Sequence, residues 1–207
     1  MHTPLETIEQ RYVRTGQLHV GILAFPDIEV LDFAGPFEVF SVAARIHEAT
    51  PFRVSIVGAS GQPIRARHGL GVVPHLDYAQ ASDVDLLIVP GGVVTTVIND
   101  APTLAWIRRA AEGAALVASV CTGAFLLAKL GMLDGLACTT HWEDIGLLRQ
   151  HFPQLEVREN VKFVDNGRIV TSAGISAGIE MSLHLVARIL GQQAAEATAR
   201  QMEYDWP

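Results

Sequence analysis

Ala114-Ala115-Leu116-Val117-Ala118-Ser119-Val120-Cys121-Thr122-Gly123-Ala124-Phe125-Leu126-Leu127-Ala128-Lys129-Leu130 is the stretch whose reading decides the fold. Ala114 to Ala118 is a short apolar run predicted as a buried strand, and Ala124 to Leu130 reads as a helix. Between them, Ser119-Val120-Cys121-Thr122-Gly123 places small residues two before and two after a cysteine. A strand that stops at such a cysteine and turns at once into a helix has the layout of a nucleophile elbow, whose sharp turn leaves no room for larger neighbours. The cysteine then sits at a helix N-terminus, where the dipole and free N–H groups favour a thiolate. The pattern points to covalent chemistry on a small electrophile. The alternative for Cys121 is a buried, inert small hydrophobe, and the elbow spacing argues against it.

Working outward, strand and helix alternate. His19 to Phe25 reads as a buried first strand, and Phe52 to Val57 as a second. Gly35-Pro36 is predicted to open a helix over Phe37 to Glu48, with Pro36 in its first turn. The Gly-rich stretch from Gly58 to Val73 suits a hairpin. Asp85 to Val89 is a further strand ending at Pro90-Gly91-Gly92. Ala101 to Glu112 is a helix with Asp100 as its N-cap. Gly135 to Thr139 reads as a strand, Trp142 to His151 as a helix, and Val157 to Val170 as two short strands around the Asp165-Asn166-Gly167 turn. Ser176 to Leu190 and Gln192 to Glu203 are predicted as closing helices. The alternation implies an α/β fold with a mostly parallel central sheet sandwiched by helices. Residues 17–207 are expected to form one domain, preceded by an extension over residues 1–16.

Composition narrows the function. The chain has 207 residues, enough for one domain with a substantial core. Its formal net charge is −7 and it has no block of lysines and arginines, which argues against nucleic acid as a partner. The uncharged run from Gly113 to Ala128 is too short to span a membrane. The segment before Gly16 carries Glu6, Glu9, Arg11 and Arg14 and lacks an apolar core, so no signal peptide is expected. Two cysteines, Cys121 and Cys138, are too few for a disulfide scaffold and suit a reducing cytoplasm.

In an open parallel sheet, ligands bind beyond the carboxyl ends of the strands. Asp32, Gly91-Gly92 and Cys121 are all expected there. Cys121 is the candidate nucleophile. Thr122 is the candidate donor of a backbone N–H to an oxyanion hole, and its hydroxyl is read either as a substrate contact or as structural. Gly92 is the candidate second donor, because glycine permits close backbone approach; a simple strand-to-loop turn is its alternative. Asp32 is read either as an N-cap for the helix after Pro36 or as a carboxyl group beside Cys121. There it would be kept protonated and able to act as an acid. His141 and His184 are read as structural, and Cys138 as a buried strand residue. No cysteine and histidine spacing resembles a metal site, and Gly69-Leu70-Gly71 lacks the setting of a dinucleotide motif. Neither metal nor cofactor is expected.

These residues resemble the ThiJ/PfpI superfamily, whose fold is a class I glutamine-amidotransferase-like α/β sandwich. The resemblance runs from about His19 to about Tyr204. It rests on Phe25-Pro26, Leu31-Asp32 through Gly35-Pro36, Val89 to Gly92, Ser119 to Gly123, Leu133-Asp134-Gly135, Thr139 to Trp142 and Ser172 to Ile179. Within the superfamily the chain is most similar to the isocyanide hydratases, which carry Asp at the position of Asp32 and Cys-Thr-Gly at that of Cys121-Thr122-Gly123. Protease-like branches instead carry Cys-His. A departure is Ser172-Ala173-Gly174, where the isocyanide hydratases have a more glycine-rich stretch. The resemblance implies hydration of an isocyanide to an N-substituted formamide through a Cys121 thioimidate, with Asp32 as general acid and base, in a homodimer. Two other functions remain open. One is a ligand- or redox-sensing module like the sensor domains of AraC-type regulators, although no helix-turn-helix segment follows through Pro207. The other is a glyoxalase-like or amidase-like hydrolase.

Overall fold

The computed structural model describes residues 6–206; residues 1–5 of the expected extension, and Pro207, lie outside the described residues. In chain order, helix α1 (Ile8–Thr15) leads into β1 (Leu18–Leu23), α2 (Val30–Ile46), β2 (Phe52–Gly58), the short β3 (Ile64–Arg65), β4 (Gly71–Val72) and β5 (Leu76–Asp77), then β6 (Leu86–Val89). Next come α3 (Ala101–Gly113), β7 (Leu116–Val120), α4 (Gly123–Lys129), β8 (Ala137–Cys138), α5 (Ile145–His151) and β9 (Glu156–Val157). The chain closes with β10 (Phe163–Asp165), β11 (Ile169–Ser172), α6 (Ala177–Leu190) and α7 (Gln192–Gln201).

The main sheet has seven strands in the order β10-β11-β7-β6-β1-β2-β5. Every pairing in it is parallel except the β10–β11 hairpin. Strands β1, β6 and β7 are buried along their whole length, as expected where helices cover both faces of a parallel sheet. This is the flavodoxin-like α/β sandwich. The sheet order matters for function. Strands β7, β6 and β1 are neighbours, so their carboxyl ends lie side by side at strand spacings of about 4.8 Å. Asp32 and Cys121, 89 positions apart in sequence, are thereby brought to one edge.

Two elements differ from the sequence expectation. Helix α2 begins at Val30, with Pro36 inside it rather than in its first turn. The buried stripe Asp32, Phe33, Pro36, Val39, Phe40 and Ala43 keeps helical spacing straight through the proline. Burial of that face against α6 and α7 outweighs the lost hydrogen bond at Pro36. Strand β8 covers only Ala137 and Cys138 and pairs with β9 outside the main sheet. The expected extension contains α1, opened by a reciprocal capping box between Thr7 and Gln10. Ile8 is buried in the core, and Arg11 bonds Asp85 at 3.1 Å.

Candidate active site

The elbow is built from the backbone outward. Cys121 directly follows β7 with φ 56°, a left-handed conformation that few side-chain-bearing residues adopt. Three contacts hold it there. Its N–H donates to Ala173 O at 3.2 Å, Thr140 Oγ1 donates to its carbonyl at 2.8 Å, and Ala124 N–H bonds the same carbonyl. Gly123 explains why the turn tolerates no side chain: a Cβ there would run into the carbonyl oxygens of Val89 and Pro90. The end of β6 is thus pressed directly against the elbow.

Asp32 lies in the first turn of α2 and is completely buried. Its Oδ2 accepts the Gly91 N–H at 3.0 Å. Its Oδ1 is also buried and accepts no hydrogen bond among the described residues. The Cys121 thiol and the Ile175 N–H approach this carboxyl group without closing a bond of ordinary geometry to Oδ1. Loss of hydration by burial pushes the Asp32 pKa up to about 7, and the charge of Glu29 adds to the shift. The N-cap alternative fails, because α2 has already begun two residues earlier.

Burial, then the nearby Asp32 charge, push the Cys121 thiol up to about 12. This direction opposes the pull of the helix N-terminus toward a thiolate. The backbone N–H groups of Thr122 and Ile175 do face the sulfur and favour its anion, but they do not offset desolvation while Asp32 is ionised. Burial and the facing Asp32 carboxyl group both oppose ionisation of the thiol, and protonation of Asp32 removes the second of these.

Thr122 Oγ1 donates to Gly92 O at 3.0 Å and accepts the Gly92 N–H at 2.9 Å. The hydroxyl thus clamps the loop after β6 to the elbow. It also occupies the Gly92 amide, which in this arrangement is not free for an oxyanion. The Thr122 amide faces sulfur instead. Gly91, unassigned from sequence, is required for close approach: a Cβ there would stand 2.5 Å from Thr122 N and Oγ1.

A cavity of about 220 Å³ opens onto Cys121. His141 lines it, half-buried, with Nδ1 3.5 Å from Asp144 and 3.8 Å from Glu143. Its ring rests on Gly174, where a Cβ would collide with it. Across the mouth, Arg67 pairs with Glu29 at 3.0 Å. Ile175 is the residue that sequence reasoning missed. Its N–H lies near both sulfur and carboxyl group, on a backbone with φ 55°, a conformation that no local signal in a β-branched residue announces. Elsewhere, His184 bonds Asp165 at 2.7 Å and packs on Phe163, far along α6. Cys138 is buried in β8. Among the described residues no cluster of His, Cys, Asp and Glu is arranged to hold a metal ion, and no helix is long and apolar enough to cross a membrane.

This geometry has known counterparts. The DJ-1/PfpI family profile matches residues 19–188, which take in Asp32, Gly91, Cys121 and Ile175 alike. The chain belongs to the DJ-1/PfpI family. It is 33% identical over 188 residues to the isonitrile hydratase of Pseudomonas putida, covering 90% of this chain and 78% of that enzyme. It is also 32% identical over 179 residues to the HTH-type transcriptional regulator CdhR of Pseudomonas aeruginosa, covering 86% of this chain and 53% of the regulator. Among solved structures, a ThiJ/PfpI family protein from Pseudomonas syringae superposes with a TM-score of 0.82 at 28% identity, covering 92% of this chain and 76% of that one.

Proposed function

We propose that this DJ-1/PfpI protein hydrates an isocyanide to an N-substituted formamide. The observation that carries the reading is the buried Asp32 carboxyl group, poised near neutrality and facing the Cys121 thiol. A group that titrates near pH 7 serves as acid in one step and base in the next. As sulfur attacks, Asp32 takes the thiol proton. The S–C bond forms to the terminal carbon of the isocyanide, and Asp32 returns the proton to that carbon, leaving a thioimidate. Asp32, now a carboxylate, draws a proton from water as its oxygen adds to the C=N carbon, and passes that proton to nitrogen. The C–S bond then breaks. The hydroxyl proton returns to Asp32, and formamide leaves. Covalent capture replaces one difficult addition by two easier ones. The amides of Thr122 and Ile175 stabilise the sulfur anion as it is released. The reaction needs no metal or cofactor.

The similarity to the P. putida enzyme supports this reading. Two free cysteines suit a reducing cytoplasm, and we place the protein there as a homodimer. The test is a panel of alkyl and aryl isocyanides with wild type, Cys121→Ala and Asp32→Asn, with products identified by mass. Formamide from wild type alone is expected; its absence with every isocyanide would overturn the proposal.

A second reading, a ligand-sensing module, draws on the comparable similarity to a transcriptional regulator. It predicts ligand binding that Cys121→Ala leaves intact, without turnover of any isocyanide.

A further inference from the structure

The Cys121 cavity is not closed. It shares Gly92, Val93, Thr122 and Asp144 with a second cavity of about 660 Å³. The two adjoin at these residues and are read together as a groove leading away from the sulfur. Its walls follow from helical spacing. Thr122, Phe125 and Lys129 recur at intervals of three and four along one face of α4. Asp144, Leu147 and His151 recur in the same way along α5. Ile98 and its neighbours in the loop after β6 form the third wall.

Carboxylates outnumber cations at the elbow end of this groove. Asp32, Glu29, Glu143 and Asp144 surround it, and Arg67, its one arginine, is already paired with Glu29. Lys129 and His151, in the last turns of α4 and α5, stand at the far end. Among the described residues Lys129 forms no ion pair, although the chain carries more acidic than basic side chains. Apolar Phe125, Ile98 and Leu147 fill the stretch between. From Gly123 to Lys129 the helix rises about 9 Å, at 1.5 Å per residue, away from the elbow.

We infer that this groove binds the non-reacting arm of the substrate: an apolar segment about the size of one aromatic ring, ending in an anionic group such as a carboxylate. An anion nearer the reacting carbon would meet Glu143 and Asp144, where Arg67 is already engaged by Glu29. At the far end it meets Lys129. Cavities of some 300–1,000 Å³ with apolar walls and a few placed polar groups are the usual form of small-molecule sites.

The inference rests on Cys121 as the capturing nucleophile, so its test does not depend on which electrophile is natural. The probes are iodoacetamide, N-benzyl iodoacetamide and N-(4-carboxybenzyl) iodoacetamide. Each alkylates sulfur with loss of iodide, and each rate is normalised to glutathione. Labelling of Cys121 is followed by intact mass and located by peptide mapping. Wild type should react with the carboxybenzyl probe at least about tenfold faster than with iodoacetamide, the ratio that 1.4 kcal/mol of added binding gives. Leu147→Trp, at an exposed position, should remove the advantage of both benzyl probes and leave iodoacetamide unchanged. Lys129→Glu should remove only the advantage of the carboxylate. Equal normalised rates for all three probes in wild type would overturn the groove as a binding site. Indifference of the carboxybenzyl probe to Lys129→Glu would overturn its anionic end. A protein that labels as expected but makes no formamide from benzyl isocyanide or 4-(isocyanomethyl)benzoate would sink the proposed reaction and leave the groove standing.

Discussion

Replacing Asp32 by Asn should stabilise the protein while abolishing its proposed chemistry, and the gain should have a specific pH profile. In the folded protein the Asp32 pKa is raised from 3.8 to about 7 by burial. In the unfolded chain it returns to the ordinary carboxyl value. Below pH 3.8 both states hold the proton, so Asp and Asn differ little. Between pH 4 and 7 the unfolded wild type releases its proton while the folded form keeps it, so wild-type stability falls as pH rises. Above pH 7 both states are ionised and the loss is complete. A shift of roughly three units at 1.36 kcal/mol each gives a plateau of about 4 kcal/mol. The side chain is fully buried, so solvent screening does not reduce this figure much. Asn keeps an oxygen able to accept the Gly91 N–H, which isolates the effect to charge. The assay is urea unfolding of both proteins at intervals from pH 4 to 8, with Tm measured in parallel. At 2–4 °C per kcal/mol for a chain of this size, Asn should raise Tm by roughly 8–16 °C at pH 8 and hardly at all at pH 4. A difference independent of pH, or an Asn variant less stable than wild type at pH 8, would refute the placement of an uncompensated carboxyl group beside Cys121.

Three further outcomes follow from the same contacts. Thr122→Val removes the hydroxyl that bonds both polar groups of Gly92; it should cost about 1–3 kcal/mol in unfolding free energy, and Thr122→Ser should recover most of it. Gly123→Ala forces a Cβ against the carbonyls of Val89 and Pro90, where backbone must give way, and a loss of about 1–3 kcal/mol with reduced Cys121 labelling is expected from unfolding and alkylation rates. Buried His19 bonds Ser55 at 3.1 Å and is held below its usual pKa of 6.5, first by burial and then by Arg53. The unfolded chain therefore takes up a proton before the folded one does, and stability should drop as pH falls below 6.5. In an Asp32→Asn background, which removes the opposing titration, His19→Gln should flatten that acid limb.

The elbow was legible because its chemistry is local. Small residues around Cys121, an apolar run before it and a helical run after it are consequences of a single sharp turn, and each is visible in the linear chain. The alternation of elements, the hairpin at Asp165-Asn166-Gly167 and the Asp100 cap were legible for the same reason. Helix α2 was misjudged because Pro36 is a strong local signal for a helix start. Only the stripe buried against α6 and α7, a non-local contact, shows that the helix starts at Val30.

Sequence by itself therefore determined the fold class and the elbow, and offered Asp32 beside Cys121 as one of two readings. The tertiary structure decided how the pair behaves. Desolvation depends on what surrounds a group from every side, and no linear pattern reports it; it pushes both the Cys121 thiol and the Asp32 carboxyl group toward their neutral forms. The adjacency of β7, β6 and β1 decided that Gly91 would hold Asp32 and that Thr122 would occupy Gly92. The turn after β11 decided that Ile175, unremarkable in sequence, would aim its amide at both. Local signals record what neighbours along the chain require, whereas the charge on a buried site is set by neighbours across the fold.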